Sequence, residues 1–265
     1  TALLLYLSPR FFAEGHYNNK DVVLLCLTLC IFALAARLMR TRKMGTALLF
    51  ALAGAFATNV KIAGGFAWGL ASLAVLARWR CEGKLLRKEM RMIVAVICTF
   101  CAAYFLITPA MWSEPLAFIR YLFENSTHFK RWDGIVFFDG AYYRPAHGSP
   151  LPWYYLPKLI LTTLPVPYLL LFAAGQVYAG VLCTRDSRLR PLLLALSALW
   201  IVPFVAAILL KPVIYNGWRH FYFIYAGIAP MGAIGLYWLS KLVCKKKLLV
   251  SISALALGTV FLTQA

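Results

Sequence analysis

"DVVLLCLTLCIFALAARLMRTRK", residues 21–43, decides the fold. It opens on one acid, runs apolar from Val22 to Ala36, and closes on Arg37, Arg40, Arg42 and Lys43. A surface helix of a water-soluble domain keeps a polar face, and this run has none. Residues 22–38 reach the lower end of the roughly 17 to 25 residues that a bilayer-spanning helix needs. The basic cluster then marks the end that stays on the cytoplasmic side.

The rest of the chain repeats that grammar. Hydrophobic residues make up 62% of 265 and charged residues 14%, against roughly 25% charged in an average soluble domain. Apolar runs between charged flanks predict spans near 22–38, 45–60, 62–78, 92–109, 159–182, 191–210, 220–240 and 248–265, with a stub at 1–7. The expected fold is therefore all-α: a polytopic transmembrane helix bundle of about eight spans plus a partial one. It forms one domain over 1–265, an integral membrane protein. Thr1 opens inside a helix-like run and the chain closes inside an apolar one, so a fragment cut at both ends is expected.

Net charge is +18, yet its distribution argues against a nucleic-acid partner. The connections at 37–43, 78–91, 183–190 and 241–247 carry 17 Lys/Arg against three acids, net +14. The opposite side carries 10 Lys/Arg against six acids, net +4, and the two sum to +18. Lys/Arg bias in short loops sets orientation, so the first group is read as cytoplasmic. All four histidines and six of the nine acids then face outward. No cysteine lies in an outward connection, so no disulfide framework is implied. Cys98 and Cys101 have redox-motif spacing, but inside an apolar helix they read as packing residues.

Four outward stretches carry candidate chemistry. "PRFFAEGHYNNKD" (9–21) offers Glu14, His16, Lys20 and Asp21. Pro9 ends the stub helix, and Asn18, Asn19 or Asp21 can cap the next one. For Asp21 two roles stand open, a helix cap or one wall of an outward cavity. Lys61 stands alone between two apolar runs, either snorkelling to the interface or contacting a phosphate. Segment 110–158 is too long for a plain connection; from a cap at Ser113, Leu116, Ile119 and Phe123 predict a helix lying in the interface. Asp139-Gly140 supplies a turn. Trp153, Tyr154 and Tyr155 belong either to an aromatic belt or, with Asp139, to a flexible flap whose rings stack on sugar or lipid. Tyr215, Arg219 and His220 precede the next span; the planar fork of Arg219 suits a phosphate. The histidines lack short ligand spacing, so no metal site is assigned. No cofactor is implied, and use of a divalent metal stays open.

"SPRFFAEGHYNNKDVVLL", "ATNVKIAGGF", "SPLPWYYLPKLILTTLP" and "YNGWRHFYFIY" together resemble the polytopic glycosyltransferases of GT-C fold. The likeness is to the branch of protein O-mannosyltransferases and lipid A aminoarabinose transferases. It implies an inverting glycosyltransferase using a polyprenyl- or dolichyl-phosphate sugar, with a lipid, glycan or protein acceptor, among membrane lipids and on the extracytoplasmic face. Asp21 takes the place of the family's supporting acid, while the main catalytic acid would lie upstream of this chain. Glu14 and His16 would line the same cavity. Lys61, Arg219 and Tyr215 would hold the donor phosphate, and His220 would orient or neutralise it as it leaves. A bacterial cell membrane is expected in preference to an endoplasmic reticulum. The competing readings are a lipid or solute transporter and a non-catalytic membrane scaffold. No charged residue lies at mid-span, where a transport path would place one, and no internal repeat is visible.

Overall fold

The computed structural model describes residues 1–83, 87–127, 132–214 and 217–244. Two short helices, α1 (Ala2–Tyr6) and α2 (Pro9–Gly15), precede the long α3 (Asn19–Thr41). Then come α4 (Met44–Val60), α5 (Ile62–Cys81) and α6 (Arg87–Ile107). A connecting region follows: α7 (Ala110–Ser113), α8 (Pro115–Thr127), a hairpin of β1 (Val136–Phe138) and β2 (Ala141–Tyr143), and a 3-10 turn at Pro145–His147. The chain continues through α9 (Tyr155–Thr163), α10 (Val166–Arg185) and α11 (Arg190–Leu210). It reaches α12 (Tyr225–Cys244) through a 3-10 turn at Arg219–Ile224.

Among the described residues, six helical stretches are long and apolar enough to cross a membrane by length and composition: 19–41, 62–81, 89–107, 166–185, 190–210 and 219–242. The chain is an integral membrane protein. The expectation of eight spans changes at three places. Expected span 248–265 lies outside the described residues. The run at 45–60 forms α4, a 17-residue apolar helix shorter than the rest. The run at 159–182 is not one helix: it breaks at Leu164 and Pro165, both extended with ψ near 135° and 139°. Pro165 disfavours α backbone at Leu164 and offers no N–H to an upstream carbonyl.

Close packing rests on small residues. Ala35, Ala47, Ala57, Ala67 and Ala71 are fully buried where α3, α4 and α5 meet; small side chains let apolar helices approach closely. The tightest crossing is α10 on α12. A Cβ added to Gly175 would overlap the Met231 carbonyl oxygen, and one on Gly235 would overlap that of Leu171. Gly175→Ala must push two backbones apart, and overpacking of this kind costs about 1–3 kcal/mol. The expected result is a lower thermal midpoint for the purified protein; an unchanged midpoint would refute a crossing this close.

The all-α fold holds, with a short two-stranded hairpin in the connection between α8 and α9. Its register pairs Val136 with Tyr143 and Phe138 with Ala141. Asp139 (φ 54°) and Gly140 (φ 79°) turn it, as a two-residue hairpin turn needs positive φ at both central positions. Val136, Phe138, Leu151, Tyr155 and Ile214 form a second small core. Phe221 packs against both this core and the main one. Ser113 falls in the last position of α7 and does not cap α8; the Phe118 N–H instead donates to the Glu114 carbonyl. Leu116 and Ile119 on α8 are exposed.

Candidate functional site

Polar groups gather where α2, the start of α3, the α4–α5 junction and the 3-10 turn before α12 come together. Asn18 caps α3, accepting from the Asp21 N–H at 3.2 Å. That leaves the Asp21 carboxylate, 5% exposed, free of the capping task, and it pairs with the Lys61 ammonium. Lys61 occupies the single extended residue (φ −156°, ψ 146°) between α4 and α5. The sequence placed no acid beside Lys61 to neutralise it; the structure corrects this. An acid 40 residues away does so, because α5 packs along α3.

Glu14 is more enclosed still, 4% exposed. Arg10 lies one helical turn earlier and pairs with it at 3.3 Å. Asn18 Nδ2 donates to its other oxygen at 2.9 Å. Arg10 Nε also donates to the Tyr222 hydroxyl at 2.6 Å, and its guanidinium lies 5.9 Å from the Tyr222 ring centre. Asn18 therefore bridges the two buried acids, one through its amide nitrogen and the other through its oxygen. A buried charge persists only when paired and hydrogen-bonded, and both acids meet that condition.

The 3-10 turn closes the cluster. Gly217 (φ 84°) donates its N–H to the Tyr155 hydroxyl at 2.9 Å, and a Cβ there would stand 3.3 Å from Arg10 Nη2. Trp218, fully buried, donates from its indole to Thr163 Oγ1 at 2.9 Å. These bonds fix the backbone that presents Arg219, which is exposed. The Arg219 charge acts on Tyr17 and on the His220 ring. Lys61 and Asp21 act on His220 as well. Asp21, Glu14, Lys61, Arg219 and His220 thus share one neighbourhood.

Other expected residues fall elsewhere. His16 is exposed at the end of α2 and packs edge-on against Phe12 at 4.9 Å; among the described residues no hydrogen bond or ion pair joins it to Glu14 or Asp21. Tyr215 lies outside the described residues. Asp139, Trp153 and Tyr154 form a second, solvent-facing group. Lys158 pairs with Asp139, Tyr154 donates to Asp139 at 3.3 Å, and Trp153 meets Tyr154 edge-on at 5.8 Å. The Lys158 hydrogen bond holds the Asp139 carboxyl below the usual carboxylate range, against a smaller desolvation effect, with the Lys158 charge adding to it. The group connects to the buried cluster through the adjoining Tyr155 and its bond to Gly217. Among the described residues no group of three or more His, Cys, Asp or Glu could hold a metal ion.

Arg10, Lys158 and Tyr222 were not singled out by sequence. For Arg10 the signal was present, an Arg-to-Glu spacing of four on a helix. For Tyr222 none was, since its partner lies 212 residues away; nor did the sequence signal the bond from Gly217 to Tyr155 across 62 residues. Comparison with protein-family models, curated proteins and solved structures finds no match.

Proposed function

We propose that this chain is a domain of a membrane glycosyltransferase, moving a sugar from a polyprenyl- or dolichyl-phosphate donor to an acceptor on the extracytoplasmic face. One observation carries the reading. Two carboxylates, Glu14 and Asp21, are held buried beside cations at one end of the bundle, with the exposed Arg219 next to them; the one other buried acid among the described residues, Glu89, pairs with Arg42 away from them. Charged groups kept at such a cost of burial cluster at functional sites. A donor with an apolar tail and a charged, hydroxyl-rich head matches that division of the protein.

In the proposed reaction an acceptor hydroxyl or amine attacks the anomeric carbon. The carbon–oxygen bond to the carrier phosphate breaks with inversion, and the acceptor proton passes to a carboxylate. Asp21 is the supporting acid, paired with Lys61. Arg219 meets the departing phosphate, whose charge grows in the transition state, so a preorganised cation there contributes most to rate. His220 lies beside that cation. The group of Asp139, Trp153 and Tyr154 offers exposed rings to the acceptor side.

The reading is tested with purified full-length protein in vesicles carrying a labelled lipid-phosphate sugar and an acceptor extract. Sugar transfer with matching release of lipid phosphate is the expected result. Movement of the labelled lipid across the bilayer without release would replace the enzyme by a transporter. Sidedness is tested separately, with single cysteines at Asn19, Ala141 and Lys43 in a cysteine-free background. An impermeant thiol reagent added to intact cells is expected to label the first two and spare the third; the reverse pattern would overturn the orientation.

A further inference from the structure

The hairpin between α8 and α9 carries apolar side chains on both faces. Val136 and Phe138 turn inward and are buried with Leu151, Tyr155 and Ile214. Ile135, Phe137 and Tyr142 turn the other way and are exposed, Tyr142 at 74%. The register sets Phe137 opposite Tyr142, and their rings stand 4.9 Å apart, a cross-strand aromatic pair. An antiparallel unit with one face in water alternates apolar inside with polar outside. The unbroken apolar run from Ile135 to Phe138 has no such alternation, so the outer face suits a covering other than water. Carried on by one residue, the same register sets Arg144 opposite Ile135, and Arg144 is exposed. The outer face is therefore two rings and one aliphatic side chain, with a cation at the edge remote from the turn.

We propose that this face docks on the lipid leaflet at its own end of the bundle, with Ile135, Phe137 and Tyr142 among the upper acyl chains and Arg144 on lipid phosphate. The depth supports it. The Phe138 ring packs edge-on against the Tyr155 ring at 4.7 Å, and the Tyr155 hydroxyl accepts from the Gly217 N–H. Gly217 lies two residues before the stretch 219–242, which is long and apolar enough to cross the membrane. The hairpin is thus fastened where that span meets the headgroups. At this level tyrosine and arginine keep their apolar stems in lipid and their polar tips in water. The charge supports it too. Asp133 meets His147 and Asp139 meets Lys158, so the two acids closest to the strands are engaged elsewhere and Arg144 is left to an anion. A leaflet presents phosphates directly above tails, in the arrangement that this face matches. The proposal requires only that 219–242 crosses a bilayer; it is independent of the reaction proposed above and of which side is cytoplasmic.

The test uses full-length protein in a cysteine-free background, held in nanodiscs of phosphatidylcholine and phosphatidylglycerol, with an environment-sensitive fluorophore on Tyr142→Cys. Ile135→Cys is a second labelling site that leaves both rings in place. Lipid carrying a nitroxide near the head of its acyl chain is expected to quench both labels. Iodide is expected to quench them several-fold less than it quenches the free cysteine adduct of the same fluorophore. Arg144→Gln is expected to shift the balance of docked and undocked hairpin about fivefold, the worth of one arginine at an anionic membrane surface. That shift is read as stronger iodide quenching, and Arg144→Lys is expected to reverse it. Iodide quenching equal to that of the free adduct would put the face in water. Shielding from both quenchers would mean that protein covers it, a second copy of this chain included. Iodide quenching unaltered by Arg144→Gln would remove the contact with phosphate. Each of these three results overturns the proposal.

Discussion

Asp21→Asn is expected to lower sugar transfer by a factor of about 10² to 10⁴, the usual contribution of a positioned acid–base group, with little loss of fold. The two effects separate because the α3 cap does not depend on the carboxylate. Asn18 accepts from the Asp21 backbone N–H, and that donor survives the substitution. An asparagine oxygen can still accept from Lys61, whose side chain is 27% exposed and reaches water. The companion variant Lys61→Gln distinguishes two ways in which Asp21 acts. If the carboxylate handles the proton, Lys61→Gln retains most turnover. If the carboxylate only holds Lys61 in place, the two variants lose the same activity. Wild-type turnover in Asp21→Asn, measured in the full-length protein, would remove Asp21 from the reaction.

The second large effect belongs to Arg219. Arg219→Ala is expected to reduce transfer by about 10²- to 10³-fold, as removal of one preorganised electrostatic contact does. Arg219→Lys is expected to recover only part of it, because an ammonium keeps the charge and loses the two-pronged contact with phosphate oxygens. Lys61 is the lesser cation in this account, since its ammonium is already engaged by Asp21. Neither change should disturb the turn that presents Arg219, which is anchored through Gly217 to Tyr155 and through Trp218 to Thr163. Titration of the lipid-phosphate sugar against each variant reads the outcome. Unaltered rate and donor dependence in Arg219→Ala would reduce this residue to an anchor at the membrane surface.

Much of the architecture was legible because apolar length is a local property. Residues 22–38, 62–78, 92–109, 191–210 and 220–240 each fall within or against a helix at that place. The break at Leu164 and Pro165 was signalled by "TLPVP", yet the surrounding run is apolar enough to mask it. The Asp139-Gly140 turn was readable from two residues, whereas its three-residue strands are too short to show an alternating pattern. In the cluster, Glu14 and Asp21 were found because acids are rare in this chain. The cation that Glu14 meets was signalled by the four-residue spacing from Arg10; the one that Asp21 meets was not legible. The Asp21–Lys61 pair follows from how α5 lies along α3, and the Arg10–Tyr222 bond from contact between opposite ends of the chain. Pairing across such separations is set by tertiary packing, and no periodicity within one run encodes it.

The ion pair between Asp21 and Lys61 also bears on how the protein is made. During synthesis α3 emerges before the hairpin of α4 and α5, so the Asp21 carboxylate exists for 40 residues of chain growth without its cation. An ionised acid near the start of a span is expensive to leave among lipid tails. Closing the contact with Lys61 joins the first long helix to the pair of helices that follows it, so this one ion pair ties three successive segments together.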